Sequence, residues 1–259
     1  MGIERKRAGR FNYIDAGSGF PLILLHGLMG NLSNFSETIA HFSKKNYRVI
    51  APCLPMYELP LLKTNVTSFA QYLDELIKWL AIKRVTLIGN SLGGHIALIY
   101  TKRRPEMIHS VVLTGSSGLY ENAVGNSFPK RKNVEYIRKK ALDVFHDPDM
   151  VTDELVAELF ELVNDRNKII KTLSVAKSAI RHNMARELAA FRMPFCLIWG
   201  RNDKVTPPDV AEDFHRLLPD SDLYWIDHCG HAPMMEKPEE FNEILDKWLS
   251  RFAHLTHAN

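Results

Sequence analysis

Short apolar runs alternate along the chain with longer stretches in which apolar residues recur every three or four positions. The runs Phe11–Ile14, Pro21–Leu25, Tyr47–Ala51, Val85–Ile88, Val111–Thr114, Phe195–Trp199 and Leu223–Ile226 are rich in β-branched and aromatic residues and predict strands. Several are apolar throughout, the pattern of parallel strands covered on both faces. Between them, Phe35–Phe42, Ser68–Leu80, Leu92–Lys102, Asp209–Leu218 and Glu239–Phe252 carry helical spacing. Leu73, Leu76, Trp79 and Leu80 form one such stripe, and Phe241, Ile244, Leu245 and Trp248 form another. The alternation predicts an α/β fold, a mostly parallel sheet with helices on both faces.

One segment breaks this rhythm. From Ser116 to Ala190 no strand run occurs, and the sequence reads as charged helices. One of them starts at Thr152 as N-cap, with Asp153 and Glu154 in its first turn and Leu155, Val156, Leu159 and Phe160 behind. A helical insertion over the C-terminal edge of such a sheet lies where the sheet binds ligands, so the segment predicts a cap. The organisation expected is a core of residues 1–115 and 191–259 interrupted by a helical cap, or lid, over 116–190.

Composition narrows the class. Of 259 residues 46% are hydrophobic and 24% charged, with 14 Gly and 13 Pro, which excludes fibrous and disordered readings. The net charge of +3, from 33 basic and 30 acidic residues, is too small for a nucleic-acid footprint. Cys53, Cys196 and Cys229 are far apart and form no CxxC pair, so neither a disulfide framework nor a metal cluster is expected, and a reducing compartment suits them. No apolar run approaches the roughly 18 residues of a membrane span, and the charged start Met1–Lys6 leads into no signal-type stretch. The reading is a soluble cytoplasmic protein; a homo-oligomer stays open.

The strongest chemical signal is Gly89-Asn90-Ser91-Leu92-Gly93, which follows the strand run Val85–Ile88 and leads straight into a helix. A turn that sharp holds the serine in a strained conformation and tolerates only small residues two positions to either side. Ser91 is therefore the candidate nucleophile, and the helix start behind it offers the Leu92 N–H to a developing oxyanion. His26, in His26-Gly27-Leu28-Met29-Gly30, holds a glycine-bearing loop whose Leu28 N–H is the candidate second donor, and His95 reads as a packed helix residue. The base is sought among eleven histidines. His231 and His228 both follow the strand Leu223–Ile226, and Gly230 favours His231 by freeing the loop to aim it. Asp203, beyond the strand Phe195–Trp199, is the candidate acid that orients the imidazole. Asp227 is its competitor, beside His228 at a strand end where capping or local pairing suits it.

These motifs together resemble the α/β-hydrolase superfamily over essentially the whole length. The resemblance rests on His26-Gly27, Gly89 to Gly94, Gly200 to Asp203, and Gly230-His231 with the trailing Met235 to Phe241. It implies nucleophile Ser91, base His231, acid Asp203, oxyanion donors at the Leu28 and Leu92 backbones, and no cofactor. Within the superfamily the nearest likeness is to capped esterases and to carbon-carbon hydrolases of aromatic ring-cleavage products, from Ser33-Asn34-Phe35, Gly89-Asn90-Ser91 and the stretch Asp147–Leu155. Asn34 would then face substrate near the oxyanion hole; its other reading is a helix N-cap for Phe35 onward.

Two features point away from the carbon-carbon group. Leu159 stands where its members carry an arginine for an acidic substrate group, and Ala232 follows His231 where a large aromatic is usual. Cys53 and Met56 also replace residues common in relatives. Six basic residues between Lys130 and Lys140, against one acid, Glu135, read as a solvated helix face. The sequence thus predicts a serine hydrolase of small carboxylic esters with a moderately hydrophobic acyl or aryl group. A carbon-carbon bond hydrolase of vinylogous diketones is the alternative, and a slow ligand sensor a further one.

Overall fold

A computed structural model describes residues 5–120 and 130–252; residues 1–4 and 253–259 of the expected core and 121–129 of the expected cap lie outside the described residues. The strands are β1 (Arg5–Ala8), β2 (Phe11–Gly17), β3 (Phe20–Leu25), β4 (Tyr47–Pro52), β5 (Val85–Asn90), β6 (Ile108–Thr114), β7 (Phe195–Gly200) and β8 (Ser221–Ile226). They form one sheet in the order β1-β2-β4-β3-β5-β6-β7-β8, parallel from β4 to β8 with an antiparallel edge of β1 and β2. The helices are α1 (Ser36–Phe42), α2 (Val66–Trp79), α3 (Leu92–Arg103), α4 (Val134–Leu142), α5 (Asp153–Asn164), α6 (Arg166–Arg181), α7 (Ala185–Leu188), α8 (Pro208–Leu217), α9 (Pro233–Glu236) and α10 (Pro238–Ser250).

Alternate strand residues point to opposite faces, and each face has its own core. Ile23, Leu25, Leu87, Val111, Leu113 and Leu197 meet α2, α3 and α8 on one side. Leu22, Leu24, Ile88, Val112 and Ile198 meet α1 and α10 on the other. This double covering is why the runs are apolar throughout. All seven strand runs form strands, with ends extended by a few residues. β1 is additional: its residues are largely exposed, so it carries no apolar run, and it pairs with β2 across a turn in which Gly9 takes φ +57°.

The helix stripes hold with one exception. Trp79, expected to share the α2 stripe, is 60% exposed, its ring tilted against that of Phe11 at 6.1 Å. It is the last residue of α2, where the helix leaves the sheet. Between β6 and β7 the described residues form no strand and carry α4 to α7. α5 is capped by Thr152, whose Oγ1 accepts the Leu155 N–H at 3.2 Å. Arg138 pairs with Asp153 at 2.5 Å and Lys140 with Asp143 at 2.9 Å, while Lys130, Arg131, Lys132 and Lys139 are exposed.

Candidate active site

Ser91 sits at the junction of β5 and α3 with φ +53° and ψ −118°, a left-handed φ that costs a non-glycine residue on the order of 1–2 kcal/mol. The junction over-determines it. The Ser91 N–H donates to the Thr114 carbonyl at 3.1 Å, and its own carbonyl accepts the N–H groups of His95 and Ser117, each at 3.2 Å. A Cβ on Gly89 would run into the Gly93–Gly94 backbone. A Cβ on Gly93 would strike the Leu25 carbonyl at the end of β3, so this glycine is needed for the neighbouring strand as well as for the turn. Leu92 is the first residue of α3, and its N–H has no acceptor within the helix.

The loop after β3 passes beside this turn. A Cβ on Gly27 would lie 3.2 Å from the Ser91 Cβ, which places the following residue, Leu28, at the same edge. No backbone carbonyl among the described residues accepts the Leu28 N–H. Met29 takes φ +62° to turn the loop back. His26 anchors it: Nδ1–H donates to the Gly27 carbonyl at 2.9 Å, and Nε2 accepts the Leu54 N–H at 3.2 Å. Both ring nitrogens are satisfied only in the neutral form, and burial lowers the pKa of His26.

Asn34 does not cap the helix. Asn31 caps the short 3-10 turn Leu32–Phe35, and Asn34 is its reciprocal partner, Oδ1 accepting the Asn31 N–H at 2.9 Å; α1 begins at Ser36 without a side-chain cap. The Asn34 Nδ2 lies beside Gly30, the last residue of the loop.

Asp203 and His231 meet in the interior, both almost fully buried. The His231 Nδ1–H donates to Asp203 Oδ2 at 2.9 Å, which leaves Nε2 directed away from the carboxylate. The other acceptor sites of Asp203 are filled by the N–H groups of Val205 and Thr206 at 2.8 and 2.9 Å and by the Thr206 hydroxyl at 2.9 Å. Asn90, immediately before Ser91, donates from Nδ2 to the carbonyls of Thr114 at 3.1 Å and His231 at 3.0 Å. It ties the histidine loop to the serine turn. The alternatives lie elsewhere: His228 is exposed at φ +50° and faces the His146 ring at 5.5 Å, and Asp227 pairs with Arg201 at 2.7 Å. Gly230 does not take a positive φ. Its role is close approach, since a Cβ there would meet the Val144 carbonyl at 2.5 Å.

That contact belongs to a clamp built on Glu236, a residue that sequence reasoning passed over as part of a trailing string. Its buried carboxylate accepts the N–H of Gly230 at 2.6 Å, of His146 at 2.8 Å and of Asp147 at 2.6 Å, and the His231 N–H donates to the Val144 carbonyl at 2.7 Å. The histidine loop is thereby fastened to the segment just after α4. In Glu236→Gln the amide nitrogen must face a backbone N–H, leaving a buried donor unmatched at about 1–3 kcal/mol. The expected result is a lower urea midpoint together with a kcat reduced about tenfold or more and a KM that changes little. A kcat within twofold of the parent would contradict this role.

Three buried histidines make stability depend on pH. His26 is lowered by burial, and burial pushes His95 and His109 each down to about 4. For His95 the hydrogen bond from Nε2 to the His182 carbonyl, at 2.7 Å, opposes that shift. A folded-state pKa below the unfolded one means that the unfolded chain binds protons first, so stability is full above about pH 7 and falls between about pH 6.5 and 4. At pH 5 His95 and His109 each contribute a loss of about 2 kcal/mol. Urea midpoints measured from pH 8 to 5 should fall across this window, and a flat profile would count against neutral buried histidines.

An eight-stranded, mostly parallel sheet flanked by helices on both faces, with the serine turn at the end of its fifth strand, is the alpha/beta hydrolase fold. The chain belongs to that family: the model of the alpha/beta hydrolase family matches residues 22–244. It is 29% identical to a 2-hydroxy-6-oxononadienedioate/2-hydroxy-6-oxononatrienedioate hydrolase of Pseudomonas sp, across 94% of this chain and 93% of that protein. It is 30% identical to a 2-hydroxymuconate semialdehyde hydrolase of Pseudomonas putida, across 96% and 94%. Among solved structures, an alpha/beta hydrolase enzyme from the metagenome of lagoon sediments at Mar Chica, Morocco, is 50% identical with a TM-score of 0.80, covering 96% of this chain and 98% of its own.

Proposed function

We propose that the chain is a serine hydrolase that cleaves a carbon-carbon bond beside a ketone in a 2-hydroxy-6-oxo-dienoate, using Ser91, His231 and Asp203. The observation that carries the triad is the 2.9 Å bond from His231 to a buried carboxylate, in a loop tied through Asn90 to the strained turn of Ser91. The choice of bond is supported by the full-length relatives, which are named as hydrolases of such compounds. The helices between β6 and β7 serve as the lid over this edge.

In this reading Ser91 Oγ adds to the ketone carbonyl and its proton passes to His231 Nε2. The N–H groups of Leu28 and Leu92 hold the oxyanion, each donor lowering the barrier by about 3–4 kcal/mol. Asp203 stabilises the imidazolium. For the carbon-carbon bond to break, the dienol must stand as its keto tautomer, the 2-hydroxyl proton having moved to the carbon beside the ketone; the bond's electron pair then enters the conjugated 2-oxo system as a dienolate, and His231 returns its proton to the dienolate oxygen. Water attacks the acyl-serine, His231 takes its proton and gives it back to Ser91 Oγ, and a carboxylic acid departs.

Ester hydrolysis by the same residues is the second reading. It is favoured by one observation: Leu159, in α5, is partly buried and packs against a hydrophobic cluster, so the position where the carbon-carbon hydrolases carry an arginine holds an apolar side chain instead. The test is kcat/KM on 2-hydroxy-6-oxo-6-phenylhexa-2,4-dienoate beside p-nitrophenyl butyrate. Preference for the dienoate by about tenfold or more is expected, and preference for the ester overturns the choice of bond. Turnover below about one per minute on both, against an ordinary median near 10 per second, would favour a sensor.

A further inference from the structure

The segment between β4 and α2 leaves the sheet at the same edge as Ser91 and lies along α6. Three hydrogen bonds join them: Lys171 Nζ to the Tyr57 carbonyl at 2.6 Å, Ser174 Oγ to the Thr64 carbonyl at 3.1 Å, and the Val66 N–H to Ser178 Oγ at 3.1 Å. The tip of this segment is the 3-10 turn Leu61–Lys63, with Leu62 94% exposed and Leu61 46% exposed. Beside it, α6 buries Ile169, Thr172, Val175, Ala176 and Ala179 on one face. Its exposed residues on the outer side include Arg166, Ile170, Lys177, Ile180 and Arg181, with Leu173 between them partly buried against the core. Aliphatic and cationic side chains share this side.

The charge on α6 is one-sided. The helix carries Arg166, Lys168, Lys171, Lys177 and Arg181 and no carboxylate. Among the described residues none of these five lies within ion-pair distance of an acid, whereas other surface helices pair theirs, as in Lys78 with Asp74 and Arg216 with Asp213. Lys168 and Lys171 are occupied by the Tyr57 ring and carbonyl. Lys177 is exposed between Ser174 and Ser178, which bond the Thr64 carbonyl and the Val66 N–H beyond Lys63, and Arg181 lies one turn further on, its Nε–H donating to the Lys177 carbonyl at 3.3 Å. Isolated aliphatic side chains at a turn tip, with cations nearby that have no acid within ion-pair distance among the described residues, match the acyl boundary and headgroups of an anionic lipid surface rather than a flat protein partner.

We propose that this face docks on anionic lipid, Leu61 and Leu62 entering the acyl boundary and Lys63, Lys177 and Arg181 meeting the headgroups. The test is cosedimentation of the full chain with phosphatidylcholine vesicles, with and without roughly 30% phosphatidylglycerol, at about 0.05 and 0.5 M salt. Binding is expected only with phosphatidylglycerol and should weaken about tenfold or more at high salt. A Leu61→Ser/Leu62→Ser variant and a Lys177→Glu/Arg181→Glu variant should each lose about tenfold or more of the partitioning. Their circular dichroism should match the parent, because the replaced side chains are exposed. No binding to the anionic vesicles, or binding that neither variant alters, would overturn the proposal. A parent dimer that the leucine variant converts to monomer, without vesicle binding, would overturn it in favour of a second copy of the chain.

Discussion

Ser91→Ala will lower hydrolysis of any substrate by on the order of 10⁴-fold or more while leaving the fold intact. The loss follows from chemistry: with Oγ gone, no covalent intermediate forms, and His231 Nε2 has no hydroxyl to deprotonate. The fold survives because the turn is held by backbone bonds. The Ser91 N–H to Thr114, and the bonds from His95 and Ser117 to the Ser91 carbonyl, do not involve the side chain. Alanine keeps the left-handed strain at φ +53°, so the urea midpoint should stay near that of the parent. Ser91→Gly removes the strain and should be more stable by about 1 kcal/mol while equally inactive, the signature of a site kept under strain for function. Turnover retained in Ser91→Ala would remove Ser91 from the mechanism.

Asp203→Asn will lower kcat by about 10³–10⁴-fold, and the hydrogen-bond geometry says why. All four contacts of the carboxylate come from donors: Val205 N–H, Thr206 N–H, the Thr206 hydroxyl and His231 Nδ1–H. An asparagine must present an NH₂ group to one pair of them. If its oxygen keeps the two backbone donors, its nitrogen faces His231 and favours the tautomer protonated at Nε2, which cannot act as base. If the amide flips, two buried N–H groups lose their acceptor, at about 1–3 kcal/mol each. Either outcome also lowers the urea midpoint. A near-parental rate would redirect the assignment toward Asp227, which the structure shows exposed and paired with Arg201.

Both predictions concern residues that chain order and local motif single out, and the reasons are physical. Strand runs buried on both faces must be apolar throughout, and a strand-to-helix turn with glycines at both flanks has few alternatives. What the sequence hid depends on distant partners. Nothing local distinguishes Asn90 from a spacer, yet it spans β6 and the histidine loop. Thr206 reads as a turn residue, but its hydroxyl completes the shell of Asp203. Gly230 looks like a source of freedom and instead makes room for the Val144 carbonyl. Asn34 looks like a cap for the helix after it, and the cap belongs to Asn31. Glu236 carried a readable signal, a carboxylate beside Met234 and Met235 with a proline on either side, but its three backbone partners come from loops on two sides. β1 escapes notice because an exposed edge strand needs no apolar side chains.

The clamp also joins the segment after α4 to the loop of His231. Val144 accepts the His231 N–H, and His146 and Asp147 share the Glu236 carboxylate with the Gly230 N–H, so the two segments are joined both directly and through Glu236. Variants at Glu236 are expected to change kcat through the position of the His231 loop, with KM little changed.

The most direct test of the triad is intact-mass analysis after brief treatment with a fluorophosphonate, followed by peptide mapping. One phosphonyl adduct per chain is expected, on the peptide containing Ser91, formed fast in the parent, far more slowly in Asp203→Asn, and absent in Ser91→Ala. An adduct that persists in Ser91→Ala, or a parent that takes up no label while hydrolysing substrate, would contradict the triad assignment.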